Sequence, residues 1–192
     1  MLEQLKKLRE ITGVSMIECR RALEESRGDI EKALDFLHRQ GKIKAQNKAD
    51  RETKQGIIES YIHSNGKVGV LLELNCETDF VARNKKFKEL AHDICMQIAA
   101  MAPLYVKPED IPEDFLRGER KIYKEQFADS GKPTRLIEGI VEGKIKKYCE
   151  EVSLLTQPFI KDDQKTIRDI INDYILKLGE NIAVKRFVRF QI

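Results

Sequence analysis

Gly56-Ile-Ile-Glu-Ser-Tyr-Ile-His-Ser64-Asn65-Gly66-Lys67-Val68-Gly-Val-Leu-Leu-Glu-Leu-Asn-Cys76 is the stretch where the apolar period of this chain becomes two. Ile57, Glu59, Tyr61 and His63 alternate with Ile58, Ser60 and Ile62, and an apolar run follows from Val68. Such alternation marks strands with one face buried. Asn65-Gly66 between the runs reads as a two-residue hairpin turn with both residues at positive φ. That turn predicts a register pairing His63 with Val68 and Ile57 with Leu74. The last segment, Ile182 to Ile192, alternates well enough to add a third strand.

Between these strands the period is helical. A helix is predicted from about Asn84 to Ala102, with Phe87, Leu90, Ala91, Ile94 and Ile98 inward and Pro103 closing it. Pro112-Glu-Asp114 starts another, with proline and acids suited to a first turn, and Gly131-Lys-Pro133 stops it. Thr134 opens a helix that buries Ile137, Val141, Ile145 and Tyr148, while Gly139 and Gly143 lower its helicity or allow one close contact. Past a loop around Gln157-Pro158-Phe159, Thr166 with Asp169 looks like the capped start of a last helix that Gly179 ends. The expected fold is α+β, a small antiparallel three-stranded sheet covered by helices.

Upstream of the hairpin, residues 1–40 read as three short amphipathic helices sharing one minimal core. Leu2, Leu5 and Leu8 line the first, which stops at Thr12-Gly13. Ser15 and Glu18 form a capping-box pattern for the second, and Asp29 caps the third, striped by Ile30, Ala33, Leu34 and Leu37 before Gly41. Residues 41–55 have no apolar periodicity and are expected to be a flexible basic linker to the α+β core domain, residues 56–192.

The composition narrows the function. The net charge of +3 lies in residues 1–55, which hold 13 Lys/Arg against 10 Asp/Glu, and the remainder balances at 22 against 22. A nucleic-acid partner would call for a concentrated basic face, so none is expected. No apolar stretch is long enough for a membrane span, and the Met1-Leu-Glu-Gln-Leu-Lys start lacks a secretory or transit pattern, so a cytoplasmic protein is expected. The four cysteines, Cys19, Cys76, Cys95 and Cys149, lie far apart and read as small buried hydrophobes in a reducing compartment. Cys76 and His63 fail as a thiol dyad, lying eight positions apart along the predicted hairpin, or about 26 Å. His38 and His92 have no neighbour at metal-ligand spacing, and no glycine loop cradles a phosphate. Neither an enzyme nor a bound cofactor or metal is expected.

Where the second strand ends, Glu73-Leu-Asn-Cys-Glu-Thr78-Asp79-Phe80-Val81-Ala-Arg-Asn84 places an acid and an aromatic at a strand-to-helix junction. On residue chemistry alone Thr78 or Asp79 caps the helix and Phe80 staples it to the core. The run nevertheless closely resembles the signature of the elongation factor Ts family, which strips GDP from the GTPase elongation factor Tu. Leu8-Arg9-Glu-Ile-Thr12-Gly13 with Glu18-Cys-Arg-Arg-Ala22-Leu23 is similar to that family's other signature, with Arg20 where the family usually has Lys. The likeness continues in Glu142-Gly-Lys-Ile-Lys-Lys147, Val152-Ser-Leu154 with Gln157-Pro158-Phe159, and Leu178-Gly-Glu-Asn-Ile182.

The resemblance implies a ubiquitin-associated-type fold for residues 1–40 and a guanine nucleotide exchange activity on elongation factor Tu. It implies that Thr78, Asp79, Phe80 and Val81 form a wedge near the magnesium and phosphate site. It places Arg9, Met16 and Ile17 against a helix of the GTPase domain, while an ordinary surface arginine with core apolars is the alternative, a plausible one for Ile17. Longer members carry two related core halves and a coiled-coil insertion, whereas this chain holds a single core. The resemblance therefore implies a homodimer that supplies the second contact surface. The rival reading is an adaptor binding a peptide or ubiquitin-like partner through its three-helix domain, and it differs in having no need to expose the Thr78–Val81 junction.

Overall fold

The computed structural model describes residues 2–127 and 133–192. In chain order the elements are α1 (Leu2–Thr12), α2 (Met16–Glu25), α3 (Ile30–Lys48), β1 (Gln55–Ile62), β2 (Val68–Cys76), α4 (Asp79–Ala82), α5 (Lys85–Met101), α6 (Glu113–Phe127), α7 (Thr134–Val152), β3 (Pro158–Phe159), β4 (Asp162–Thr166), α8 (Ile167–Leu178) and β5 (Ile182–Gln191). The fold is α+β, with an antiparallel sheet in the order β1-β2-β5 and a small separate β3-β4 ribbon. No described helix is long and apolar enough to cross a membrane.

The chain forms two compact units, residues 1–99 with 168–192, and residues 100–167. In the first, Leu8, Val14, Cys19, Ala22, Leu23, Ala33 and Leu37 of the N-terminal helices make one core, which Leu176 of α8 completes. Gly13 ends α1 with φ +66° and its N–H on the Arg9 carbonyl. Ser15 accepts from the Glu18 N–H and Asp29 from the Lys32 N–H, so α2 and α3 begin at the expected caps, but the capping box is half formed because the Glu18 carboxylate turns to Lys44 instead of the Ser15 N–H. The Glu18 carboxylate pairs with Lys44 at 2.8 Å, and one of its oxygens is buried without a partner.

α3 does not stop at Gly41 but runs on to Lys48. The reason is a close crossing: a Cβ at position 41 would sit 3.2 Å from the Asn172 carbonyl oxygen of α8, so glycine there lets two helices approach. His38–Asp173 at 2.7 Å and Lys42–Asp169 at 2.9 Å, with Lys48 on the Gly179 carbonyl, fasten the same pair. The first half of the expected linker is therefore helical.

The hairpin register is as read from the sequence, with Ile57 opposite Leu74 and the His63 N–H on the Val68 carbonyl. The turn differs. Gly66 alone has positive φ, at +69°, and its N–H returns to the His63 carbonyl. Asn65 stays out of the left-handed region, its side-chain oxygen accepting from the Lys67 N–H, an Asx turn that a type I′ geometry does not require. Val70, Leu72 and Leu74 point to the buried face, where α5 contributes Phe87, Leu90, Ala91, Ile94 and Ile98. Hydrogen bonds from Cys95 to the Glu59 carbonyl and from Arg189 to the Ala99 carbonyl tie α5 to β1 and β5.

In the second unit α6 and α7 enclose Ile111, Leu116, Val141 and Ile145, with Ile137 and Tyr148 partly buried beside them. Arg120 links the two helices through Glu113 and Glu142. Gly139 and Gly143 face open space rather than a close contact. The Gln157-Pro158-Phe159 loop pairs with residues before α8 as a ribbon the sequence reading lacked, since two residues of strand carry no period. In the stop expected at Gly131-Lys-Pro133, the glycine and lysine lie outside the described residues.

Candidate partner-binding face

β2 ends at Cys76, paired with Gln55 on one side and Ile182 on the other. Beyond that last pair the ends of β2 and β5 exchange carboxylates. Glu77 accepts the Asn181 N–H at 2.6 Å, and Glu180 accepts the N–H groups of Glu77 at 3.1 Å and Thr78 at 3.0 Å. The second oxygen of Glu180 accepts the Thr78 hydroxyl at 2.6 Å, and that of Glu77 meets Arg51 at 3.3 Å. Hydrogen bonds to ionised acceptors are the stronger kind, and five of them meet here on the Glu77 and Glu180 carboxylates. The Asn181 N–H holds the Glu77 carboxyl below its ordinary value, with Arg51 adding to the effect.

Thr78 then caps a four-residue helix, its oxygen accepting the Val81 N–H at 3.4 Å. This short helix stands between strand and long helix where the sequence suggested a direct junction. Ala82 is buried and roots the turn, Asp79 pairs with Arg83 at 2.8 Å, and Asn84 caps α5 through the Lys86 N–H. Beneath it, burial pushes the Cys76 thiol up to about 11, the Glu180 charge adding to that, so the thiol stays protonated and donates to the Thr78 carbonyl at 3.1 Å.

Phe80 projects from this braced turn and is 81% exposed. It does not staple the helix to its own core. Fully burying such a ring stabilises by about 1.5 to 3 kcal/mol, most of which this chain does not collect for itself. An exposed aromatic beside a carboxylate, on backbone fixed from both sides, can enter an apolar cleft and engage polar groups at its rim.

Of the other candidates, Arg9 is exposed on α1, Met16 is exposed at the start of α2, and Ile17 is 75% exposed. Ile17 is thus not a core residue. The turn joining α1 to α2 is bonded to the start of α5 by Lys86, whose ammonium donates to the Gly13 carbonyl at 3.2 Å. Both candidate surfaces therefore belong to one compact unit. The brace of Glu77, Glu180 and Asn181 was missed by the sequence reading; its one available signal is an acid just outside each of two strand ends.

The family model for elongation factor TS matches residues 36–192. The chain is similar to elongation factor Ts of Thermodesulfovibrio yellowstonii, 56% identical over 190 residues, covering 99% of this chain and 94% of the relative. It is similar to elongation factor Ts of Thermotoga neapolitana, 52% identical over 191 residues, covering 100% and 96%. It is similar also to elongation factor Ts of Oleidesulfovibrio alaskensis, 54% identical over 188 residues, covering 98% and 95%.

Proposed function

The chain belongs to the elongation factor Ts family of translation elongation factors, and on that premise we propose that it is a guanine nucleotide exchange factor for elongation factor Tu, driving GDP release with Asp79 and Phe80. The observation that carries this reading is the bare Phe80 ring on a turn whose backbone is hydrogen-bonded on either side of it, at Glu77 and Thr78 before and at Val81 and Ala82 after.

No covalent step is needed. A GTPase holds its phosphates through backbone N–H groups and a magnesium ion, so small displacements there cost much affinity. A protein that binds the displaced form weakens GDP, and GDP weakens it in return by the same factor. Phe80 enters an apolar cleft on the magnesium side, Asp79 engages polar groups beside it, and Thr78 and Val81 hold the turn. Arg9, Met16 and Ile17 dock on a helix of the GTPase domain and raise the effective concentration of the tooth. Residues 1–40 thus serve as the handle, 41–55 as the connection and 56–192 as the core.

The second copy that a single core calls for docks through the outer face of the sheet. Ile58 at 73%, Ile62, Leu71, Val188 and Phe190 at 66% are exposed there, around a pocket that also takes in Glu73 and Arg186. An apolar face of this kind marks an interaction surface.

The test is release of fluorescent GDP from elongation factor Tu after mixing with the full chain. Rapid release that Phe80→Ala slows, with unchanged thermal unfolding, supports the reading, and equal release by both proteins overturns it.

A further inference from the structure

We propose that Glu180 is a positioning residue for nucleotide exchange, setting the direction in which the Asp79–Phe80 turn leaves the sheet; this rests on the exchange reading above. Glu180 lies 102 residues from Thr78 in sequence, on the loop between α8 and β5. It touches neither Asp79 nor Phe80 by any hydrogen bond, and acts through Thr78 alone and the amide before it.

The geometry gives the carboxylate two tasks. One oxygen takes the N–H groups of Glu77 and Thr78, which the β2-β5 ladder leaves behind when it ends at Cys76–Ile182. The other takes the Thr78 hydroxyl proton, which turns that hydroxyl's lone pairs toward the Val81 N–H it caps. A relay thus runs from Val81 N–H to Thr78 hydroxyl to Glu180, and Phe80 sits inside the turn so closed. Without the carboxylate, Thr78 is free to rotate, the cap opens, and two amides turn to water. The ring still exists, but it is aimed over a wider cone.

A mis-aimed tooth and a missing handle have different kinetic signatures. Docking through Arg9, Met16 and Ile17 does not involve Glu180, so the concentration of factor giving half-maximal exchange should hold. The saturated rate should fall, because the interaction lost is one made only as GDP leaves.

The experiment measures GDP release from elongation factor Tu over a range of factor concentration for the full chain and for Glu180→Ala, Glu180→Gln, Thr78→Val and Phe80→Ala. Losing charge-assisted bonds at one turn predicts a saturated rate about tenfold lower for Glu180→Ala, with half-saturation within about twofold. Glu180→Gln keeps one oxygen for the two amides and a group that can donate to the Thr78 hydroxyl, and should recover most of the rate. Thr78→Val, which keeps the carboxylate and its amide bonds, should fall between. A slow Phe80→Ala beside an unimpaired Glu180→Ala would overturn the positioning role and leave the wedge standing. An unimpaired Phe80→Ala would remove the wedge itself. A Glu180→Ala loss that Glu180→Gln does not recover, or one that appears in half-saturation instead of the maximal rate, would also overturn the role. Should Glu180→Ala not fold, Thr78→Val and Glu180→Gln decide by the same criteria.

Discussion

The two ends of β2 are held in opposite ways. At the Ser64–Lys67 end the chain closes on itself: the Gly66 N–H reaches His63 and the Asn65 side chain reaches Lys67, all within a few residues. At the Glu77–Ala82 end the backbone is held by Glu180 and Asn181, more than a hundred residues downstream. The first arrangement needs nothing but the right turn residues. The second borrows its rigidity from another element, and it is the one that carries an exposed aromatic. A local turn fixes a register; a remote brace fixes a direction.

The largest effect should separate the ends by function. Phe80→Ala removes contacts of about 2 to 3 kcal/mol with a partner, so exchange should slow roughly 30- to 150-fold while thermal unfolding stays unchanged. A fall in unfolding temperature instead would mean that the ring supports its own chain. Next, Glu77→Gln should lower stability in urea by about 1 to 2 kcal/mol at pH 7, since it weakens the bonds to Asn181 and Arg51.

That loss should depend on pH. The Glu77 carboxyl titrates below its ordinary 4.5 in the folded chain, so the folded form binds this proton less readily than the unfolded one. Its contribution is complete above about pH 4.5 and disappears as pH falls through the lowered folded value. The gap between the parent and Glu77→Gln should therefore close in acid urea titrations, and a gap that persists at low pH would remove Glu77's charge from the brace.

At the other end of β2, Gly66→Ala forces a side chain to φ +69° and should cost about 1 kcal/mol of stability without any change in exchange. A slower exchange there would show that the two ends are coupled. The smallest effect concerns the thiols: under brief alkylation at pH 8, half-buried Cys149 should react first and exchange should persist, because Cys76 and Cys95 are buried and pushed up to about 11 and 12. Early labelling of Cys76 would mean that the braced end opens readily.

The same contrast explains what could be read from sequence. Asn65-Gly66, the alternation of β1 and β2 and the stripe of α5 are local patterns, and they gave the sheet, its register and the helix facing it. The turn type is not legible from Asn65-Gly66, because Asn65 satisfies an Asx turn as readily as a left-handed one. Gly41 resembles a helix stop in sequence because only the distant α8 shows why a glycine belongs inside α3. The Thr78 cap was legible from residue chemistry and is present, whereas Phe80, 81% exposed, does not form the staple expected with it. The carboxylate exchange was not legible, because Glu77 and Glu180 have no sequence relation until β2 and β5 lie side by side.

The brace also sets an order of events during synthesis. Glu180 is made 103 residues after Glu77, a delay of roughly 5 to 20 s at ordinary elongation speeds. Through that interval the emerging chain carries Phe80 without the carboxylate that bonds the Glu77 and Thr78 amides. The turn is braced only after α8 and the start of β5 have cleared the ribosome, so a half-made chain has the Thr78–Val81 motif without the bonds that hold it.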